Sequence, residues 1–170
     1  MENNKSEIDK TCDELFQFAI DRGDVSRLMD GLPVSSDVFR ATVEHELQIL
    51  RIISVGWSLS YYLPAGSLKT ELTTLFWQSL HEFSKDLALT TKFLIHQDID
   101  FFTSVKNRFD EYLGEMKKKV DAPEPAVVIG PEFARVCGDA ENVHTVMAGS
   151  RMFIGTVSEV KTYLERLKLR

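Results

Sequence analysis

Cysteine is scarce in this chain: Cys12 and Cys137 are the only two among 170 residues. A pair so far apart makes no disulfide framework. Without a CxxC spacing it also supplies neither a zinc site nor a redox motif. No long basic block occurs and the formal net charge is −6, which argues against nucleic acid or an anionic membrane surface as a partner. Long apolar runs are missing too. The longest, from Ile49 to Leu63, is interrupted by Arg51 and several serines and falls short of a membrane span. The opening "MENNKSEIDK" lacks the basic, then apolar, then small-residue order of a secretory signal, so the cytoplasm is the expected compartment.

Motifs that would announce chemistry are equally scarce. There is no GxxxxGK[ST], GxGxxG or GxSxG. The "HE" at His45 and Glu46 would need a second histidine four residues after the first to make a metalloprotease helix, and Ile49 stands there. Of the Glu-x-x-His pairs that a di-iron bundle uses, only Glu141 and His144 have the spacing. A three-histidine metal site from His45, His81 and His96 is disfavoured, because His81 shares the polar side of its helix with Gln78 and Lys85. Cys137 and His144 lack a third, orienting group, so a buried structural thiol is the simpler account. No metal and no cofactor is expected, and the balance falls against an enzyme.

What is present is helical periodicity. An apolar content of 44% with 27% charged residues is that of a folded globular chain. At this length a single domain hides roughly 70% of the surface of its unfolded form. Ile8, Cys12, Leu15, Phe16 and Ala19 mark a first helix ended by "DRGD", and "VSRLMD" allows a short turn of helix before Gly31 and Pro33. Ser35 or Ser36 is placed to cap a long helix reaching Tyr62, stopped by Pro64 and Gly66. Ser67 is placed to cap the next, whose apolar face runs from Leu68 through Leu72, Phe76, Leu80, Phe83 and Leu87 to Leu94. A break at "HQD" with Asp98 as cap precedes a fourth helix carrying Phe102, Val105, Phe109, Leu113 and Met116. Its closing lysines suit the negative end of a helix dipole.

The composition changes at "DAPEPAVVIGPEF", where Pro123, Pro125, Pro131 and Gly130 predict an extended crossing segment. Short helices are expected after it, from Pro131 to Gly138 and over 140–153. Gly155 then ends the second, and a capping box at Thr156-Val157-Ser158-Glu159 opens a final helix. The expected fold is all-α. It is an antiparallel bundle of about four main helices over 1–120, with an extended crossing segment and C-terminal helices over 121–170 packed on the same domain.

Within the long helix, "SVGWSLSY" alternates like a strand, yet helical projection sorts 38–63 better. Glu44, Gln48, Arg51, Ser58 and Tyr62 share a polar sector. Phe39, Val43, Leu50, Ile53, Trp57 and Tyr61 lie opposite, in an apolar sector too wide for one neighbouring helix. That width suits either a bundle core or a dimer seam. Glu46 projects from the middle of the apolar side, and a carboxylate there must find a cationic or hydrogen-bonding partner or take up a proton.

The functional expectation is therefore a cytoplasmic, α-helical protein-interaction module that self-associates as a homodimer or receives a helical protein partner. The alternative is a small-molecule-binding or sensory domain with a pocket between long helices near Glu46, Trp57, Tyr61 and Trp77. The candidate ligand-binding residues are His45, Glu46, Arg51, Trp57, Tyr61 and Arg151. Arg151 enters because irregular, glycine-bearing segments such as 130–155 often carry sites.

Overall fold

The structure is a computed structural model that describes residues 6–33 and 37–168. Seven helices follow one another with no strand among the described residues. They are α1 (Glu7–Ile20), α2 (Gly23–Asp30), α3 (Asp37–Tyr62), α4 (Ser67–Ile95), α5 (Phe101–Lys118), α6 (Pro125–Val136) and α7 (Val143–Lys168). The all-α class read from the sequence is the class observed. The caps expected from Ser35 or Ser36 lie outside the described residues.

Local chemistry explains several helix ends. The Ser6 hydroxyl accepts from Asp9 N at 3.1 Å and the Asp9 carboxylate accepts from Ser6 N at 3.2 Å, so α1 opens on a reciprocal capping box. Helix α5 is capped by Asp100, which accepts from Thr103 N at 3.0 Å, two residues later than the expected Asp98. Lys117 and Lys118 close α5, as the dipole argument requires. Gly66, with no side-chain bond, stands at the N-cap of α4, so Ser67 is its first residue rather than its cap.

The C-terminal third departs from the sequence expectation. "AVVI" is not extended but belongs to α6, which begins with Pro125 in its first turn and continues through Pro131. Proline removes one backbone hydrogen bond. Burial offsets that loss: Ala126, Val128, Ile129, Phe133 and Ala134 all turn inward. Gly130 lets α6 approach α7 closely, since a Cβ there would lie 2.8 Å from the Val146 carbonyl oxygen. The two helices expected over 140–153 and after Thr156 are one helix, opened instead by Asn142, whose side-chain oxygen accepts from His144 N at 3.0 Å. The Thr156 capping pattern goes unused. Ala148, Met152, Thr156, Val160 and Leu164 form one continuous buried stripe, which outweighs the roughly 1 kcal/mol that Gly155 costs within a helix.

Helix α3 is central and touches α1, α2, α4, α5, α6 and α7. Its residues 46–56 are buried on every side, so that stretch of the wide apolar sector is covered within one chain, while Tyr61 at its end is exposed. Consecutive helices α4 and α5 run antiparallel, with Trp77 near Phe109 and Phe83 near Phe101. Two other neighbours run in the same direction. Cys12 and Phe16 of α1 meet Ser79 and Phe83 of α4, and Trp57 and Tyr62 of α3 meet Phe153 and Lys161 of α7. The bundle is therefore mixed rather than wholly antiparallel.

Candidate functional site

Glu46 finds the partner its burial demands. Arg108 of α5 grips it with two bonds of 2.9 Å, from Nε to Oε2 and from Nη2 to Oε1. The same guanidinium reaches Glu111 at 3.2 Å, Glu111 lies 3.7 Å from Arg135, and Arg135 binds Glu132 at 2.5 Å. Acid and base thus alternate from α3 across α5 to α6. The fork of Arg suits each carboxylate in turn, and its hydrogen bonds to Glu46 hold the Arg108 pKa above the ordinary arginine value.

Two further polar groups lie close enough to feel the charge of Glu46. Tyr112 is fully buried with its hydroxyl unpartnered, and desolvation followed by the Glu46 charge drives its pKa well above 10.0. Burial, then the same charge, pushes the Cys137 thiol up to about 12. A thiol so held is no nucleophile at neutral pH. An open cleft of about 540 Å³ borders the lattice, lined by Glu111, Glu115, Lys118, Glu132 and Arg135 among others. Of its four carboxylates, Glu111, Glu115 and Glu132 each face a lysine or arginine, and Asp110 also lines it. This is structural ion pairing across three helices.

Arg51 sits elsewhere, and not as expected. Placed by projection on the polar side of α3, it is only 2% exposed. Its Nε donates to the Phe18 carbonyl at 2.9 Å and its Nη1 to Asp24 at 2.5 Å, while the guanidinium lies 4.1 Å from the Phe18 ring centroid. Gln48 donates to the Ala19 carbonyl at 3.0 Å. The last carbonyls of a helix have no partner within it, and α1 has no basic residue in its last turn. Arg51 and Gln48 supply from α3 what α1 lacks, so the polar sector of α3 faces the C-terminus of α1 rather than water. Ser54 and Ser58, also buried, return their hydroxyls to the carbonyls four residues back at 2.7 Å.

The remaining candidates scatter. Arg151 is exposed and lines a small cleft of about 170 Å³ with Asp24, Arg27 and Glu159, which puts it near the Asp24 that Arg51 binds. His45 is exposed with its ring 6.0 Å from that of Phe101. Trp57 is half-buried, tilted against Phe153, and stacks on Tyr61 at 4.7 Å. Tyr61 itself is 66% exposed, so only Trp57 of the two enters the packing that projection assigned to both. Eleven residues separate Glu46 from Trp57, about 16 Å along a helix, and none of Glu46, Trp57, Tyr61 and Trp77 lines either of the two clefts described above. Among the described residues, no group of three His, Cys, Asp or Glu side chains is placed to hold a metal ion, and no helix is long and apolar enough to cross a membrane.

The feature that periodicity missed is the end of α4. Phe102 N donates to Ser84 Oγ at 2.9 Å and Phe83 lies against Phe101, so α5 begins level with residues 83–84. Helix α4 nevertheless continues eleven residues to Ile95, about 16 Å farther at 1.5 Å per residue. His96 then turns the chain with a left-handed φ of 53°. Residues 96–100 lead back to the start of α5, and Lys92 pairs with Asp98 at 3.5 Å across the turn.

Leu87 is the last α4 leucine packed on the core. Beyond it Leu89 is 68% exposed, Phe93 83%, Leu94 68% and Ile95 59%, with Ile99 of the return segment at 44%. Leu89 and Phe93 share the outer face, whereas Leu94 continues the inner apolar face to which the sequence assigned it. That face is bare here because its neighbours have ended. The readable signal was "FLI" at 93–95: three successive large apolar residues on a helix point to three different sides.

A scan of protein-family models returned no match, and searches of curated proteins and of solved structures returned no significant match.

Proposed function

We propose that this chain is an α-helical protein-interaction module whose docking surface is the projecting end of α4. The observation that carries this reading is the set Leu89, Phe93, Leu94, Ile95 and Ile99, large apolar side chains that this chain leaves uncovered. Isolated apolar residues on a surface are ordinary, but a contiguous group on one projecting element is the pattern of an interaction site. A helix apolar all round is one that packing covers. The charged groups of the Glu46 lattice and of Arg51 satisfy one another within the chain, which leaves catalysis without an available acid, base or nucleophile there. A small-molecule pocket framed by Glu46, Trp57, Tyr61 and Trp77 has less support, since Glu46 is committed to Arg108 and Trp57 and Tyr61 lie about three helical turns and more along α3 from it.

Selection from a library of helical peptides tests the reading. Binders to the native chain are expected to lose about tenfold or more in affinity for the Phe93→Ser variant, the cost of truncating an aromatic anchor. Binders that map to other faces and ignore Leu89 and Phe93 would sink it.

A further inference from the structure

We infer that the end of α4 is covered by the same segment of a second copy of this chain, in a two-fold symmetric dimer. This rests on the docking reading above and names the partner. Three observations favour a second copy over an unrelated protein, a lipid surface or a small ligand.

The first is area. The five uncovered side chains amount to roughly three fully exposed ones, on the order of 600 Å² at ~200 Å² each. At full burial two such ends facing one another remove up to about 1,200 Å² from water, the lower end of specific, stable interfaces. The patch is thus of the size a dimer needs, and too extended for a small ligand.

The second is shape. Leu89 and Phe93 face outward while Leu94 and Ile95 face where the helix neighbours have ended, so cover is needed on more than one side. An identical projecting end meets that need reciprocally. Laid antiparallel, the outer face of each copy fills the uncovered flank of the other, and one contact is repeated by the two-fold axis. An unrelated partner would have to offer a groove shaped to a helix end.

The third is charge. Lys92 is engaged by Asp98 and Lys85 by Glu82 within the chain, so like charges are not forced together when two ends meet. The same pairing leaves the projection without the cluster of basic residues that binding to anionic lipid requires.

Sedimentation velocity of the full chain from low micromolar to several hundred micromolar concentration tests the inference. The native chain is expected to move from monomer to dimer, and Phe93→Asp to raise the dimer dissociation constant about thirtyfold or more, as burying an unpaired charge at an interface centre does. Ile154→Asp, an exposed apolar position on α7, is expected to leave the dimer intact. Both sites are solvent-exposed in the single chain, so circular dichroism should report unchanged helix content. A native chain that stays monomeric throughout, while helical peptides still compete for Phe93, overturns the second copy and leaves the docking reading standing. A dimer that survives Phe93→Asp but dissociates with Ile154→Asp overturns the second copy at the end of α4, and the peptide binding at Phe93 then decides the docking reading separately.

Discussion

Where α3, α5 and α6 meet, charge lies inside and has partners; at the end of α4, large apolar side chains lie outside without cover from this chain. Both regions depart from the rule that apolar groups go in and charges stay out, and the departures differ in kind. The carboxylate of Glu46 is nearly inaccessible, and leaving it unpaired would cost several kcal/mol. The fold therefore answers it with a two-pronged arginine, and answers that arginine with Glu111. Exposed leucine and phenylalanine side chains carry no such immediate penalty in a folded monomer, because the unfolded chain exposes them as well. An internal demand must be met by the chain itself, whereas an external one can wait for a partner.

Breaking the internal region has the largest expected effect. Arg108→Met should destabilise the monomer by about 3 kcal/mol, because it strands the buried Glu46 carboxylate. The double variant Glu46→Met with Arg108→Met should recover most of that loss. Urea denaturation of the three proteins measures both, and an unchanged midpoint in Arg108→Met alone would show that Glu46 does not depend on this partner.

Alkaline pH acts on the same region more gently. Burial holds the Cys137 thiol at about 12 against an ordinary 9.0, and holds Tyr112 above its ordinary 10.0. Raised pKa values in the folded state mean that the unfolded chain releases these protons first. Stability from these groups is complete below about pH 9 and is lost as pH rises from there toward 12. The urea midpoint should hold up to pH 9 and fall above it, and Tyr112→Phe should flatten the fall. That variant should also cost little at neutral pH, within about 1 kcal/mol, since it removes a buried hydroxyl that has no partner.

The smallest effect is expected at the end of α4. Phe93→Ser in dilute protein should move monomer stability by no more than about 0.5 kcal/mol, the ordinary range for exposed positions. A loss of several kcal/mol there would mean that Phe93 packs within its own chain, and the contrast between the two regions would collapse.

Much of this was legible residue by residue. The anomaly of Glu46 was plain from its place between Phe39 and Ile53, and burial alone required it to find a cationic or hydrogen-bonding partner or to take up a proton. The identity of that partner was not legible, because Arg108 lies 62 residues away and looks like any arginine on an amphipathic helix. Arg51 shows a different gap: helical projection identified the polar side of α3 without showing what that side meets. Projection reports which residues share a face, not what covers that face, and here the carbonyl end of α1 covers it. Pro131 and Thr156 misled for a related reason. Both carry strong local preferences of a few kcal/mol at most, and burial of a continuous apolar stripe along α6 and α7 exceeds them.

The sequence by itself determined that the chain is all-α, where its main helices run up to residue 118, and that one carboxylate would be held inside. Those features follow from short-range periodicity and from the cost of burying charge, which are written into neighbouring residues. Tertiary structure alone decided which helices lie beside one another, and therefore that α5 starts level with Ser84 while α4 runs on to Ile95. An apolar residue is core or surface according to whether a neighbour reaches it. Reach is set by where helices begin and end in space, so Leu80 and Leu94, alike on one helical face, differ wholly in burial.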